Sequence, residues 1–250
     1  MRIYLLAHQD DEFALLQSIR ESQASGAAIV YTTNGLQPGV EPITRNNESL
    51  KVLAAIGVTP SDVHFLGGEY GFNDGSLHQH LPEAWNALLA LTERLGDTIT
   101  SVYMPAWEAG HQDHDVTHAL GICLARHFGC LENSRQISLY HGYGLPWKLY
   151  RVQSPLPANG QLFPLSIPWK ARLVFLGLFR HYRSQWLTWL ALYPYVFFHL
   201  VTRGKELLQP ISVARLSEKP HPGKALYEKR QVCEEAKILQ SIRQFLSTLG

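Results

Sequence analysis

Ile3-Tyr4-Leu5-Leu6-Ala7-His8-Gln9-Asp10-Asp11-Glu12 runs five apolar residues directly into an imidazole, an amide and three acids. An apolar run without alternation reads as a strand buried on both faces, here residues 2–7, with its polar end at the carboxyl edge. Just beyond, Phe13, Leu15, Leu16, Ile19 and Ala24 fall at helical spacing and Gly26 closes the helix. Residues 27–33 read as a second buried strand, stopped by the turn dipeptide Asn34-Gly35. The alternation goes on: a helix over 44–56, a short strand at 63–66 before Gly67-Gly68, a helix over 81–95, a strand over 98–104, a helix over 113–128 and a strand over 136–141. Strands alternating with helices of this length predict an α/β fold, a mostly parallel, Rossmann-like sheet wound by right-handed crossovers.

A second polar cluster, His111-Gln112-Asp113-His114-Asp115, follows the fourth strand as the first cluster follows the first strand. Parallel sheets bind ligands outside the carboxyl ends of their strands, so both clusters lie where chemistry is expected. A hydrolytic metal site takes three ligands from His, Asp or Glu and leaves a position for water, whose pKa it lowers. His8, Asp11 and His114 make such a set, and the adjacent Asp10 remains free as a base. The three acids could instead simply favour a helix N-terminus, but that explains neither His8 nor the second cluster. Glu12 reads as a cap or hydrogen-bond partner, His118 lies one turn after His114, close enough to share a metal on a helix, and His64, His127, His141 and His199 read as core histidines. His78 and His80 read as members of a solvated loop.

From Gly142 the pattern loosens. Pro146, Pro155, Pro157, Pro164 and Pro168 break residues 143–168 into irregular chain; an aromatic-rich helical region (170–208) and a final helix near 225–249 follow. The expectation is one domain, an α/β core (1–142) carrying an irregular and helical C-terminal cap (143–250). Its tryptophans and tyrosines (Trp147, Tyr150, Trp169, Tyr182, Trp186, Trp189) read as packed core in preference to platforms for sugar rings. The apolar stretch 186–201 is shorter than the roughly 20 residues of a bilayer span. It reads as a buried helix pair or an oligomer contact in preference to a membrane-associated surface.

With 250 residues, a net charge of +1 and three irregularly spaced cysteines, the chain shows no global field for nucleic acid or anionic lipid, no disulfide framework and no Cys-based zinc site. Cys123 and Cys130 are expected on one buried face. Five apolar residues after Arg2 are too few for a signal h-region, so the expected location is cytoplasmic.

Ala7-His8-Gln9-Asp10-Asp11-Glu12 resembles the A-H-P-D-D-E motif of the PIG-L/LmbE-like N-acetylglucosaminyl deacetylase family, and His111-Gln112-Asp113-His114 resembles its H-x-D-H motif. Thr33-Asn34-Gly35, Arg45-Asn46-Asn47-Glu48-Ser49 and Phe65-Leu66-Gly67 followed by Asp74-Gly75 fit as well, so the likeness covers roughly residues 2–125 in order. The resemblance implies a Rossmann-like sheet, zinc on His8, Asp11 and His114, and Asp10 as general base. It further implies that His111 aids the oxyanion or protonates the leaving nitrogen, that Asp113 orients a histidine, and that Arg45 and Asp74 meet the substrate. Gln9 departs from the family proline, and Ala109 stands where some members carry a tyrosine that polarises the carbonyl.

The expected activity is removal of an acetyl group from an N-acetylated amino sugar or sugar conjugate. The cofactor is zinc, with ferrous iron suiting the same donors, and a homo-oligomer stays open. A catalytically inactive, metal-binding carbohydrate-recognition protein of the same fold is the alternative. A phosphoacceptor receiver module would need an acid where Gly67-Gly68 stand, and a dinucleotide site would need G-x-G-x-x-G after the first strand. Neither is present.

Overall fold

A computed structural model describes residues 1–249. β1 (Arg2–Leu6), β2 (Ala27–Tyr31), β3 (Val63–His64), β4 (Ser101–Pro105) and β5 (Arg135–Ile137) pair in parallel in the order β3-β2-β1-β4-β5. Between them run α1 (Leu16–Ser22), α2 (Pro42–Ala54), α3 (Leu66–Tyr70), α4 (Leu81–Leu95) and α5 (Gln112–His127). The chain moves outward from β1 to β3, then returns to lay β4 on the other side of β1. The junction of β1 and β4 is therefore the point where strand order reverses, and a crevice opens at their carboxyl ends.

The apolar runs are explained by burial on both faces. Ile3, Leu5, Val30 and Met104 point to one core with α4, α5 and the last helix, α9 (Glu235–Leu249). Tyr4, Leu6, Ile29 and Tyr31 point to the other core, with α1 and α2. Cys123 and Cys130 are both buried and free.

Three expectations need correction. The helix after β1 begins as a 3-10 turn (Asp11–Leu15) and becomes α-helical only at Leu16. The strand expected over 136–141 breaks after Ile137, and β6 (Tyr140–His141) pairs instead with β7 (Arg151–Val152) in a separate ribbon. The buried carboxylate of Glu108 accounts for the break: it accepts hydrogen bonds from the Ser138 hydroxyl and the Leu139 and Tyr140 amides. Lastly, the region after 142 is no mere cap of loops and helices. β9 (Lys205–Pro210) extends the main sheet antiparallel to β5, and β8 (Phe163–Ser166) pairs antiparallel with β9 beyond it. Pro164 made β8 look like loop, but β8 is the outermost strand, where a missing amide is tolerated.

α6 (Trp169–Leu178) and α7 (Trp186–Phe198) lie between β8 and β9, and α8 (Leu226–Lys229) precedes α9. Among the described residues no helix is long and apolar enough to cross a membrane.

His118 sits in α5 with its Nδ1 2.8 Å from the Pro105 carbonyl and its Nε2 buried without a partner. Burial lowers its pKa to about 4. An unfolded chain protonates this histidine near 6.5, so below that pH the unfolded state binds the extra proton and stability falls as pH drops toward 4. The full effect is about 3 kcal/mol. His118→Gln should flatten the wild-type slope of unfolding free energy between pH 6.5 and 4; an unchanged slope in denaturant titrations would assign the acid sensitivity elsewhere.

Candidate metal and hydrolytic site

The end of β1 is built to present side chains. Asp10 adopts φ 122° and ψ −16°, a conformation that costs an L-residue on the order of 1–3 kcal/mol and tends to persist at functional sites. It is held there because its amide donates to Glu12 and its carbonyl accepts from Phe13. Glu12 is fully buried and also accepts from the Tyr182 hydroxyl at 2.7 Å, a hydrogen-bond role as expected. The Asp10 carboxylate is thereby turned into the crevice, where its one hydrogen-bond and ion-pair partner among the described residues is Arg45 Nη2 at 3.4 Å.

Asp11 turns the other way. Its Oδ2 accepts from the amides of Ala7 and His8 at 3.1 and 2.8 Å, while Oδ1 lies 3.2 Å from His114 Nε2. His8 Nδ1 stands 3.2 Å from that same His114 nitrogen and 3.6 Å from Asp11 Oδ2. Tetrahedral bonds of about 2.0–2.2 Å separate ligand atoms by roughly 3.3–3.6 Å. The His8 Nδ1–His114 Nε2 and His114 Nε2–Asp11 Oδ1 distances are near that spacing, and Asp11 has one oxygen anchored while the other faces the histidines. His8, His111 and His114 likewise have donor atoms within 4.8 Å of one another. Burial opposes the charge on Asp11, but His114 and His8 outweigh it and hold the carboxyl well below its usual range.

The second nitrogen of His8 is spoken for. Nε2 lies 3.2 Å from both Asp113 Oδ2 and Asp74 Oδ1. Burial works against a proton on His8, yet Asp74, Asp11 and Asp113 raise its pKa well above the ordinary value. Asp113 is fully buried and accepts the amides of Gly75 and Leu77, which leaves it placed to orient His8 in the manner of carboxylates behind metal-bound imidazoles. A wider group, His8, Asp74, His111 and Asp113, also has its donor atoms within 4.8 Å of one another. The amides already on Asp113 make that second set the poorer cage.

His111 ends the loop before α5, and its Nδ1 accepts from the Asp113 amide at 3.3 Å. That tautomer leaves Nε2–H as a donor. Burial, with His8 nearby, lowers the His111 pKa to about 4, keeping the ring neutral. The loop packs hard against β6: a Cβ at Gly110 would meet the Tyr140 carbonyl at 1.8 Å. Arg45, assigned to substrate, is itself buried and bonded to the carbonyls of Gly35 and Gln9 as well as to Asp10 and Asp74. It bridges the two acids on the floor of the crevice. Gln9 does without the family proline by donating to Asn46 Oδ1 at 2.7 Å, tying the β1 turn to α2.

The crevice is a cavity of about 250 Å³ that collects His8, Asp10, Asp11, Arg45, Asp74, His111 and His114. Its walls come from residues that sequence reasoning did not place: Tyr140, Gln153, Gln185, Leu192 and Arg230, with Trp189 among them. The Tyr140 ring stands 5.4 Å from that of His114, and its hydroxyl has no protein hydrogen-bond partner among the described residues. Burial raises the phenol pKa, so it remains a donor. The nearest sequence signal was negative, the absence of a tyrosine at Ala109. Among the other histidines, His141 and His199 are buried as expected, His127 is exposed, and His78 is buried, not solvated.

A model of the family described as PIG-L, GlcNAc-PI de-N-acetylase, matches residues 3–125. A search among curated proteins finds no sequence match. The fold is similar to that of a deacetylase triple mutant of the teicoplanin biosynthetic pathway, at 18% identity and TM-score 0.62 over 84% of this chain and 97% of that one. It is similar too to the A40926 pseudoaglycone deacetylase (17%, TM-score 0.58, 84% and 96% covered). The N,N'-diacetylchitobiose deacetylase of Pyrococcus horikoshii is a third (16%, TM-score 0.52, 84% and 82% covered). Two motif-bearing loops at one crevice and the family match agree: residues 3–125 belong to the family described as PIG-L, GlcNAc-PI de-N-acetylase, and the chain as a whole shares the fold of these deacetylases.

Proposed function

We propose that this protein is a metal-dependent amide hydrolase that removes the acetyl group of an N-acetylated amino sugar or sugar conjugate. The observation that carries the reading is the meeting of His8, Asp11 and His114 beside an Asp10 that takes no part in their cluster. His8, Asp11 and His114 would hold zinc, or ferrous iron, with Asp113 behind His8. Such an ion, when bound, makes a water acidic enough to ionise near neutral pH.

The remaining work falls to this chain. Asp10 accepts the proton as the water oxygen bonds to the acetyl carbonyl carbon. The carbonyl electron pair moves to its oxygen, where His111 Nε2–H and the Tyr140 hydroxyl are the available donors. Tyr140 supplies from β6 what Ala109 lacks. Asp10 then delivers its proton to the nitrogen, the C–N bond breaks, and acetate and the free amine leave. Arg45 holds Asp10 and Asp74 in place from below.

The test is acetate and amine release from N-acetylglucosamine and a series of its conjugates, before and after chelation. Activity that falls to background with chelator and returns with zinc or ferrous iron is the expected outcome. Metal bound with no amine released across the series would support the inactive carbohydrate-recognition reading. In the same assay Tyr140→Phe should lower kcat about 100-fold, as loss of an oxyanion donor does. Unaltered kcat would leave the oxyanion to His111 and the metal.

A further inference from the structure

Of the two readings favoured for 186–201, a buried helix pair and an oligomer contact, the first does not hold within the chain. In α7 only the stripe Trp189, Val196 and, just beyond, Leu200 packs inward, while Trp186, Leu187, Leu190 and Phe198 are 60–68% exposed. A surface helix ordinarily turns polar residues to water. This one has no Asp, Glu, Lys or Arg between Arg183 and Arg203. Neighbouring elements continue the apolar surface: Trp169, Leu173 and Val174 on α6, and Trp147 and Leu149 in the loop that meets α7 through the Tyr150–Tyr195 ring contact. Exposed apolar area on this scale marks a binding face.

Charge says what it binds. Nine of the chain's 22 basic residues and none of its 21 acidic ones lie between Glu132 and Glu206. Lys170, Arg180, Arg183, Arg203 and Lys205 are exposed around the aromatic face, and none is in an ion pair among the described residues. Tryptophan and tyrosine with a basic rim suit the lipid headgroup zone. A second copy of the chain suits it poorly, because an isologous contact would set these cations against themselves with no carboxylate to answer them. The face also holds an apolar cleft of about 480 Å³ with walls of Phe179, Trp186, Leu190 and Tyr193 and with Arg180 and Arg183 in its lining, a place for an acyl chain beside a phosphate.

We propose that α6, α7 and the 147–149 loop dock the protein on the surface of an anionic lipid bilayer, without spanning it. Thr188, Trp189, Leu192 and Val196 of the same helix line the hydrolytic crevice, so docking brings the mouth of that crevice to the interface, where an amphiphilic sugar conjugate would be presented.

The experiment is co-sedimentation of the full chain with vesicles of phosphatidylcholine, or of phosphatidylcholine and phosphatidylglycerol at roughly seven parts to three. Binding to the anionic vesicles, weakened by salt and by omission of phosphatidylglycerol, is expected. The triple variant Leu187→Ser, Leu190→Ser, Phe198→Ser changes only exposed positions and should keep the wild-type circular dichroism and Tm. Its partition coefficient should drop at least about tenfold. Equal partitioning of variant and wild type would overturn the proposal, as would failure of the wild type to bind either vesicle. A concentration-dependent dimer that the triple variant disperses, without vesicle binding, would overturn it in favour of self-association.

Discussion

Asp10→Asn is expected to keep its metal and lose turnover by about 10³–10⁴-fold, the upper range for removing a positioned base. The amide is nearly isosteric, tolerates positive φ better than most residues, and can still accept from Arg45, so fold and ion should survive. What it cannot do is take a proton from water. Burial raises the Asp10 pKa to about 7 against the pull of Arg45, a direction that favours a carboxylate able to accept and return a proton. Asp10→Gly separates function from geometry. It removes the base but also the strain at φ 122°, so it should raise stability by about 1 kcal/mol while remaining as inactive as the asparagine variant. Wild-type kcat in either variant with metal content intact would remove Asp10 from the mechanism.

Legibility in the sequence followed locality. β1, the polar residues at its end and the H-x-D-H segment each declare themselves within ten residues, since buried strands and helix starts have local signatures. Convergence of the two was inferable because parallel sheets collect their loops at one edge. Tyr140, Arg230 and Trp189 were not legible, for they reach the crevice from chain without periodicity. Their places depend on Glu108 diverting the backbone after Ile137 and on α7 crossing the site. For Arg45 the resemblance offered a substrate contact, and what the sequence could not show is that its Nη1 and Nη2 reach four acceptors of the protein itself. β8 hid behind Pro164. For α7 the sequence left a buried helix pair and an oligomer contact open, because hydropathy predicts burial in something, and only coordinates show that among the described residues nothing covers its outer face.

His114→Ala should abolish metal binding, and the consequence should reach stability as well as activity. The His114 ring is fully buried, with Nε2 at the apex shared by His8 and Asp11. Truncation takes away one of three proposed ligands and also leaves the Asp11 carboxylate without its nearest imidazole. An ion that binds only the folded state stabilises it by about 4 kcal/mol at a thousandfold excess over Kd. For a domain of this size that is a rise in Tm of roughly 10 °C. The wild type should therefore melt about that much higher with zinc or ferrous iron than after chelation, while His114→Ala should melt at one temperature in both conditions and release no acetate. The pairing of readouts matters, since a variant that merely misfolds would lose Tm and activity together. If zinc content and the metal-dependent Tm shift both persist without His114, the ion sits elsewhere, and the set formed by His8, Asp74, His111 and Asp113 becomes the cage to test.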